Sequence, residues 1–137
     1  VKMSGCPNSC GQYHMANIVL HGASMKVGEK QIPAYHVFLG VTYENGSLPI
    51  GTQLKVRLPA KRGPDAVERF LALYQGERNT GEEFNAFFDR VGSAPFEQAI
   101  ADLVLPGEFS DDNRSMFIDW ERAELYQVQR GEGECAI

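Results

Sequence analysis

The apolar residues change their spacing once, near residue 60, and this switch limits the architecture more than any other feature of the chain. Before it the pattern repeats every second residue. Val1-Lys2-Met3-Ser4 alternates and looks like the end of a strand. Ile18, Val19 and Leu20 mark a short buried strand over 17–21. Tyr35, Val37 and Leu39 alternate with His36 and Phe38, a strand with both faces covered. Leu54, Val56 and Leu58 alternate with Lys55 and Arg57, a half-buried strand with its basic residues on one face, ended by Pro59. Gly28 and the pair Asn45-Gly46 supply turns, the second a hairpin signal because both residues tolerate positive φ.

After the switch the spacing is helical. Pro64 suits a first helical turn, and Val67, Phe70, Leu71 and Tyr74 predict a helix over 64–75. Thr80 and Glu83 form a capping-box pattern ahead of a stripe of Phe84, Phe87, Phe88 and Val91, which Gly92 stops. Phe96, Ile100, Leu103 and Val104 make a third stripe, closed by Pro106-Gly107. A stripe of phenylalanines reads as core. Beyond residue 108 the pattern weakens, with Phe117, Ile118 and Trp120 as anchors and an acidic end at 131–135 expected to be mobile. The sum is an α+β domain: a small, mostly antiparallel sheet with helices in the C-terminal half.

At 137 residues and 43% hydrophobic content, the chain suits one domain with a real core. No run approaches the roughly 18 apolar residues of a membrane span. The opening shows no signal-peptide pattern, so a cytoplasmic location is expected. The net charge of −5 is divided unevenly. Residues 1–62 hold seven Lys/Arg and two acids; residues 63–137 hold six Arg and sixteen acids. Such a split suits an anionic partner at the first half, or two solvated surfaces of opposite sign. Nucleic acid is not indicated, because the basic residues are spread thinly in an acidic chain.

The chemistry sits at Cys6-Pro7-Asn8-Ser9-Cys10. Two thiols four residues apart reach one metal centre if the loop between them turns. Pro7 and Asn8 favour that turn, with Gly5 and Gly11 on either side. Thiolates are soft ligands for iron–sulfur clusters and for zinc. Read alone, the spacing fits half a metal site, two small buried residues or a local disulfide. With His14 the two thiols offer three ligands of a zinc site. Cys135 is a distant thiol without an evident partner. His21 and His36 fall on strands and read as structural histidines.

The decamer Met3-Ser4-Gly5-Cys6-Pro7-Asn8-Ser9-Cys10-Gly11-Gln12 closely resembles the second cluster-binding motif of the sirohaem nitrite/sulfite reductases. Ala16-Asn17-Ile18-Val19-Leu20-His21-Gly22 is similar to the strand that follows it there, and Tyr35-His36-Val37-Phe38-Leu39-Gly40 to the next. Phe87-Phe88-Asp89-Arg90-Val91-Gly92 resembles a later helix end. Asp119-Trp120-Glu121-Arg122 and Gly131-Glu132-Gly133-Glu134-Cys135 look like C-terminal signatures of some bacterial members. Val41 departs from the second glycine that many members carry after Gly40.

The resemblance implies six-electron reduction of nitrite to ammonia or sulfite to sulfide, fed by ferredoxin or a similar donor. It implies a 4Fe–4S cluster held by two cysteine pairs, the second matching Cys6 and Cys10, with Cys10 also ligating the sirohaem iron. Asn8 and Gln12 would lie on the cofactor side. The first cysteine pair and the Lys/Arg residues that hold the substrate lie upstream in the family; Lys55, Arg57, Lys61 and Arg62 do not replace them. The expectation is a C-terminal piece of a larger enzyme, inactive in isolation. Its residues 1–107 would form an incomplete cluster/sirohaem domain and 108–137 an extension, and the remainder of the parent enzyme would be its partner. The alternatives are a small zinc module using Cys6, Cys10 and His14, or a non-catalytic folded fragment.

Overall fold

The fold comes from a computed structural model, which describes residues 1–5, 16–40 and 51–128. Four strands, β1 (Lys2–Ser4), β2 (Ile18–Val27), β3 (Lys30–Leu39) and β4 (Thr52–Pro59), form one sheet in the order β1-β2-β3-β4. β1 runs parallel to β2, and the other two pairings are antiparallel. Three helices follow, α1 (Gly63–Glu77), α2 (Phe84–Val91) and α3 (Ala94–Ala99). The architecture is the expected α+β arrangement, mostly antiparallel in its sheet, with the helices in the second half.

β2 and β3 are each ten residues long, about twice the apolar runs that announce them. Their outer halves are held by direct pairing, Ala23 with Ala34, Ser24 with Pro33 and Met25 with Ile32, across the turn at Gly28. These small and proline-containing stretches have little strand propensity of their own, so cross-strand pairing decides their state. The Asn45-Gly46 turn lies outside the described residues.

Apolar spacing reports burial more faithfully than backbone hydrogen bonding. Helix α3 stops at Ala99, yet Ile100 and Leu103 of the third stripe are still buried, now in turns. The capping box does not form. The residue before α2 is Glu83 itself, with no side-chain cap bond. Glu82 organises the approach instead, accepting the Asn79 backbone N–H at 2.9 Å and binding Arg90 through both carboxylate oxygens at 2.8 and 2.9 Å.

One face of the sheet (Ile18, Leu20, Val37, Leu39, Leu54, Leu58) packs on the helices through Ala66, Phe70, Phe87, Phe88 and Phe96. Phe96 is the hub, its ring 5.5 Å from those of Phe70 and Phe88 and 5.9 Å from that of Phe87. Full burial of one such ring contributes about 1.5–3 kcal/mol, so this cluster carries much of the two-layer packing. At the far end of the β2–β3 hairpin, Met25, Val27 and Ile32 are covered by Phe109, Met116, Phe117 and Leu125. Phe117, in the 3-10 turn Arg114–Phe117, is buried, and its carbonyl accepts the Tyr126 N–H at 2.7 Å. Trp120 is a weaker anchor than expected: it remains 46% exposed.

Candidate functional site: the sheet edge flanking residues 6–15

The predicted ligands and cofactor contacts Cys6, Asn8, Cys10 and Gln12 lie outside the described residues, as do His14 and Cys135. The structure describes the flanks on which they stand. On the N-terminal side, β1 pairs Lys2 with Val19, Met3 with Leu20 and Ser4 with His21. Gly5 then lies against Gly22 so closely that a Cβ at Gly22 would overlap the Gly5 carbonyl group. Only a residue without a side chain at position 22 permits that approach.

On the C-terminal side, Ala16 is buried with Val19 and Phe38. The Asn17 carbonyl accepts the Gly40 N–H at 3.0 Å, and the Asn17 side-chain amide donates to Asn85 Oδ1 at 2.9 Å. Gly40 has φ +70°, and a Cβ there would stand 2.6 Å from Phe88 Cδ1. The two ends of 6–15 are therefore anchored at different levels of the β1–β2 edge, one beside Gly22 within β2 and one ahead of the start of β2 against Gly40 and the helix layer.

The face of the sheet turned away from the helices carries a pair that strand assignment alone did not bring together. His21 and His36 are direct cross-strand partners, with ring centroids 5.9 Å apart. His36 Nδ1 lies 2.9 Å from Gln53 Nε2. Partial burial lowers the pKa of His21. Burial also lowers that of His36, helped by the Arg57 charge and by His21. Both rings therefore favour the neutral form, as structural histidines do. Arg57 reaches across this face to donate to the Ser24 carbonyl at 3.0 Å.

The β3–β4 ladder slips beside this pair. Phe38 pairs with Gln53 and His36 with Arg57, so Leu54, Lys55 and Val56 together oppose Val37. The Lys55 backbone N–H in that bulge donates to Glu97 of α3 at 2.9 Å. The bulge and the glycine contacts were not legible beforehand, because each depends on partners distant in the chain. Among the described residues no group of three or more His, Cys, Asp or Glu is placed to hold a metal. No helix among them is long and apolar enough to cross a membrane.

By fold, these elements match an α+β unit in the structure of the Mycobacterium tuberculosis NirA protein. The TM-score is 0.59 at 23% identity, over 67% of this chain and 17% of that one. By sequence, the chain is 30% identical over 92 residues to the sulfite reductase (NADPH) hemoprotein beta-component of Dickeya chrysanthemi strain Ech1591, covering 67% of this chain and 14% of that protein. It is 32% identical over 92 residues to the protein of the same name from Shewanella oneidensis strain MR-1, covering 67% of this chain and 15% of that protein. No family model matches the chain. Over two thirds of its length the chain resembles a stretch of the nitrite/sulfite reductase hemoproteins. It spans about 14% of the length of the curated relatives it matches, which are oxidoreductases.

Proposed function

We propose that this chain works as part of a sirohaem-dependent nitrite or sulfite reductase, supplying half of the ligands of its 4Fe–4S cluster. The observation that carries the proposal is the Cys6–Cys10 motif, in a chain whose curated relatives are named sulfite reductase hemoproteins. The donor set fits: thiolates are the ligands such a cluster takes. The fit is half complete, since a cluster takes four and this motif offers two. The other pair comes from the remainder of a longer polypeptide, and the isolated chain is inactive.

When bound, the cluster and sirohaem supply single electrons for the six-electron reduction. The chain's own residues do the holding. Cys6 and Cys10 would hold the cluster as thiolates, and Cys10 would also be a ligand of the sirohaem iron. Asn8 and Gln12 would help to hold the sirohaem. The anchoring of Gly5 on Gly22 and of Asn17 on Gly40 and Asn85 fixes where the ends of the motif enter and leave the sheet. Such outer contacts orient metal ligands. Residues 1–107 form the incomplete cluster/sirohaem domain and 108–137 its extension. The basic first half attracts the carboxylates of sirohaem, the substrate anion or an acidic donor such as ferredoxin. The setting is the cytoplasm.

The test is the natural gene product that contains this sequence, purified without oxygen, with iron, acid-labile sulfide and sirohaem measured beside turnover of nitrite and sulfite. Cys10→Ser is expected to abolish turnover with either anion and to remove the electronic coupling between cluster and sirohaem. Unchanged turnover in that variant overturns the bridging role. Stoichiometric zinc without sulfide overturns the cluster in favour of a Cys6/Cys10/His14 zinc site.

A further inference from the structure

Six large apolar side chains among the described residues are exposed, and four of them, Val1, Met3, Leu71 and Trp120, line one groove. The groove has a volume of about 970 Å³ and lies between β1 and α1, floored by Leu20 and Tyr35. Single exposed apolar residues are ordinary, but a contiguous set rimmed by polar groups marks an interaction site. The rim here is acidic: Glu68 and Glu121 line the groove, and Asp119 acts on the Tyr35 phenol. Lys61 is drawn onto the Trp120 ring, its Nζ 4.2 Å from the centroid. β1, which supplies Val1 and Met3, is also the edge strand of the described sheet. The β4 side differs, because Glu97 of α3 already takes the Lys55 N–H there.

The curated relatives are about seven times longer than the stretch they share with this chain, since it covers 14% of them. We propose that the β1–α1 groove is the face on which the remainder of a longer reductase polypeptide docks, through an apolar segment flanked by Lys or Arg. The apolar side chains fill the space between Met3 and Leu71, and the basic flanks meet Glu68 and Glu121. This rests on the reading of the chain as part of a larger reductase.

Thiol labelling tests it, because Leu71 is already 41% exposed and Leu71→Cys leaves the core intact. Leu105→Cys, at a site 79% exposed and outside the groove, is the control. Peptide mass spectrometry separates these sites from the three native cysteines. In the 137-residue chain both sites should label at similar rates. In the natural gene product Leu71→Cys should label at least about tenfold more slowly while Leu105→Cys is unchanged, because a packed interface must open before reagent enters. Equal labelling of Leu71→Cys in both proteins overturns the proposal, including the case in which the gene product is no longer than this chain. Protection that rises with concentration of the 137-residue chain assigns the groove to a second copy and also overturns it. Iron and labile sulfide are read on the same samples. A loaded cluster beside an open groove removes the docking proposal alone; a protected groove without iron removes the cofactor reading alone.

Discussion

At the scale of single residues, the most demanding contact is between two glycines. Gly22 faces the Gly5 carbonyl with no room for a methyl group, whereas a Cβ at Gly5 meets nothing within 4 Å. Adding a methyl where backbone must move costs about 1–3 kcal/mol. Gly22→Ala should therefore destabilise the chain by that amount in urea denaturation, and Gly5→Ala should cost distinctly less. Equal effects would mean that backbone freedom, not close approach, sets the requirement. The sequence shows Gly22 only as a glycine within a strand-like run. Its purpose is invisible there because its partner is the residue that leads into the cysteine motif on a different strand.

At the scale of elements, the link between α1 and α2 turns on Glu82. Bonding to Arg90, then to the Asn79 N–H, lowers its carboxyl pKa to about 2. Arg90 also donates to the Glu77 carbonyl at 3.1 Å, so one guanidinium ties the end of α1 to α2. Because the folded pKa lies below the ordinary carboxyl value of 4.5, the unfolded chain takes up the proton first as pH falls. The contribution of Glu82 is therefore complete above pH about 4.5 and is lost toward pH 2. Thermal unfolding of Glu82→Gln should show a deficit at pH 6 that closes near pH 2; a gap that persists would show that the ion pair contributes nothing. The helices were legible because Phe84, Phe87, Phe88 and Val91 fall at helical spacing whatever surrounds them. The capping box misled because Thr80 and Glu83 satisfy a local pattern while Glu82 has a better partner in Arg90, eight residues away.

At the scale of the molecule, the change of hydrophobic period near residue 60 is also the boundary between two layers. The basic half of the chain ends where α1 begins at Gly63, so the sheet layer carries the positive excess and the helix-bearing half the negative one. That division, the strand and helix types, and the phenylalanine core are local or periodic properties, and sequence exposes them directly. The cysteine motif is legible for the same reason, being a short pattern of residue types. What surrounds it is not. The His21–His36 pairing, the Asn17–Asn85 bond across 68 positions and the groove between Met3 and Leu71 depend on register and chain reversal. These are fixed only once the layers have met.

The one parallel pairing among the described strands sets an order of opening. β2 and β3 need only the turn between Val27 and Lys30 to meet, whereas β1 joins β2 after closing everything between Ser4 and Ile18. β1 is also only three residues long and lies at the edge of the described sheet, so it has the fewest ladder contacts to lose and is the first strand to leave. Amide exchange in the folded protein should follow this order, with Met3 exchanging well before Val37; equal protection would show that the sheet opens only as a whole. A margin that unlatches while the body stays folded gives the strand leading into the Cys6–Cys10 motif a freedom that the rest of the sheet lacks.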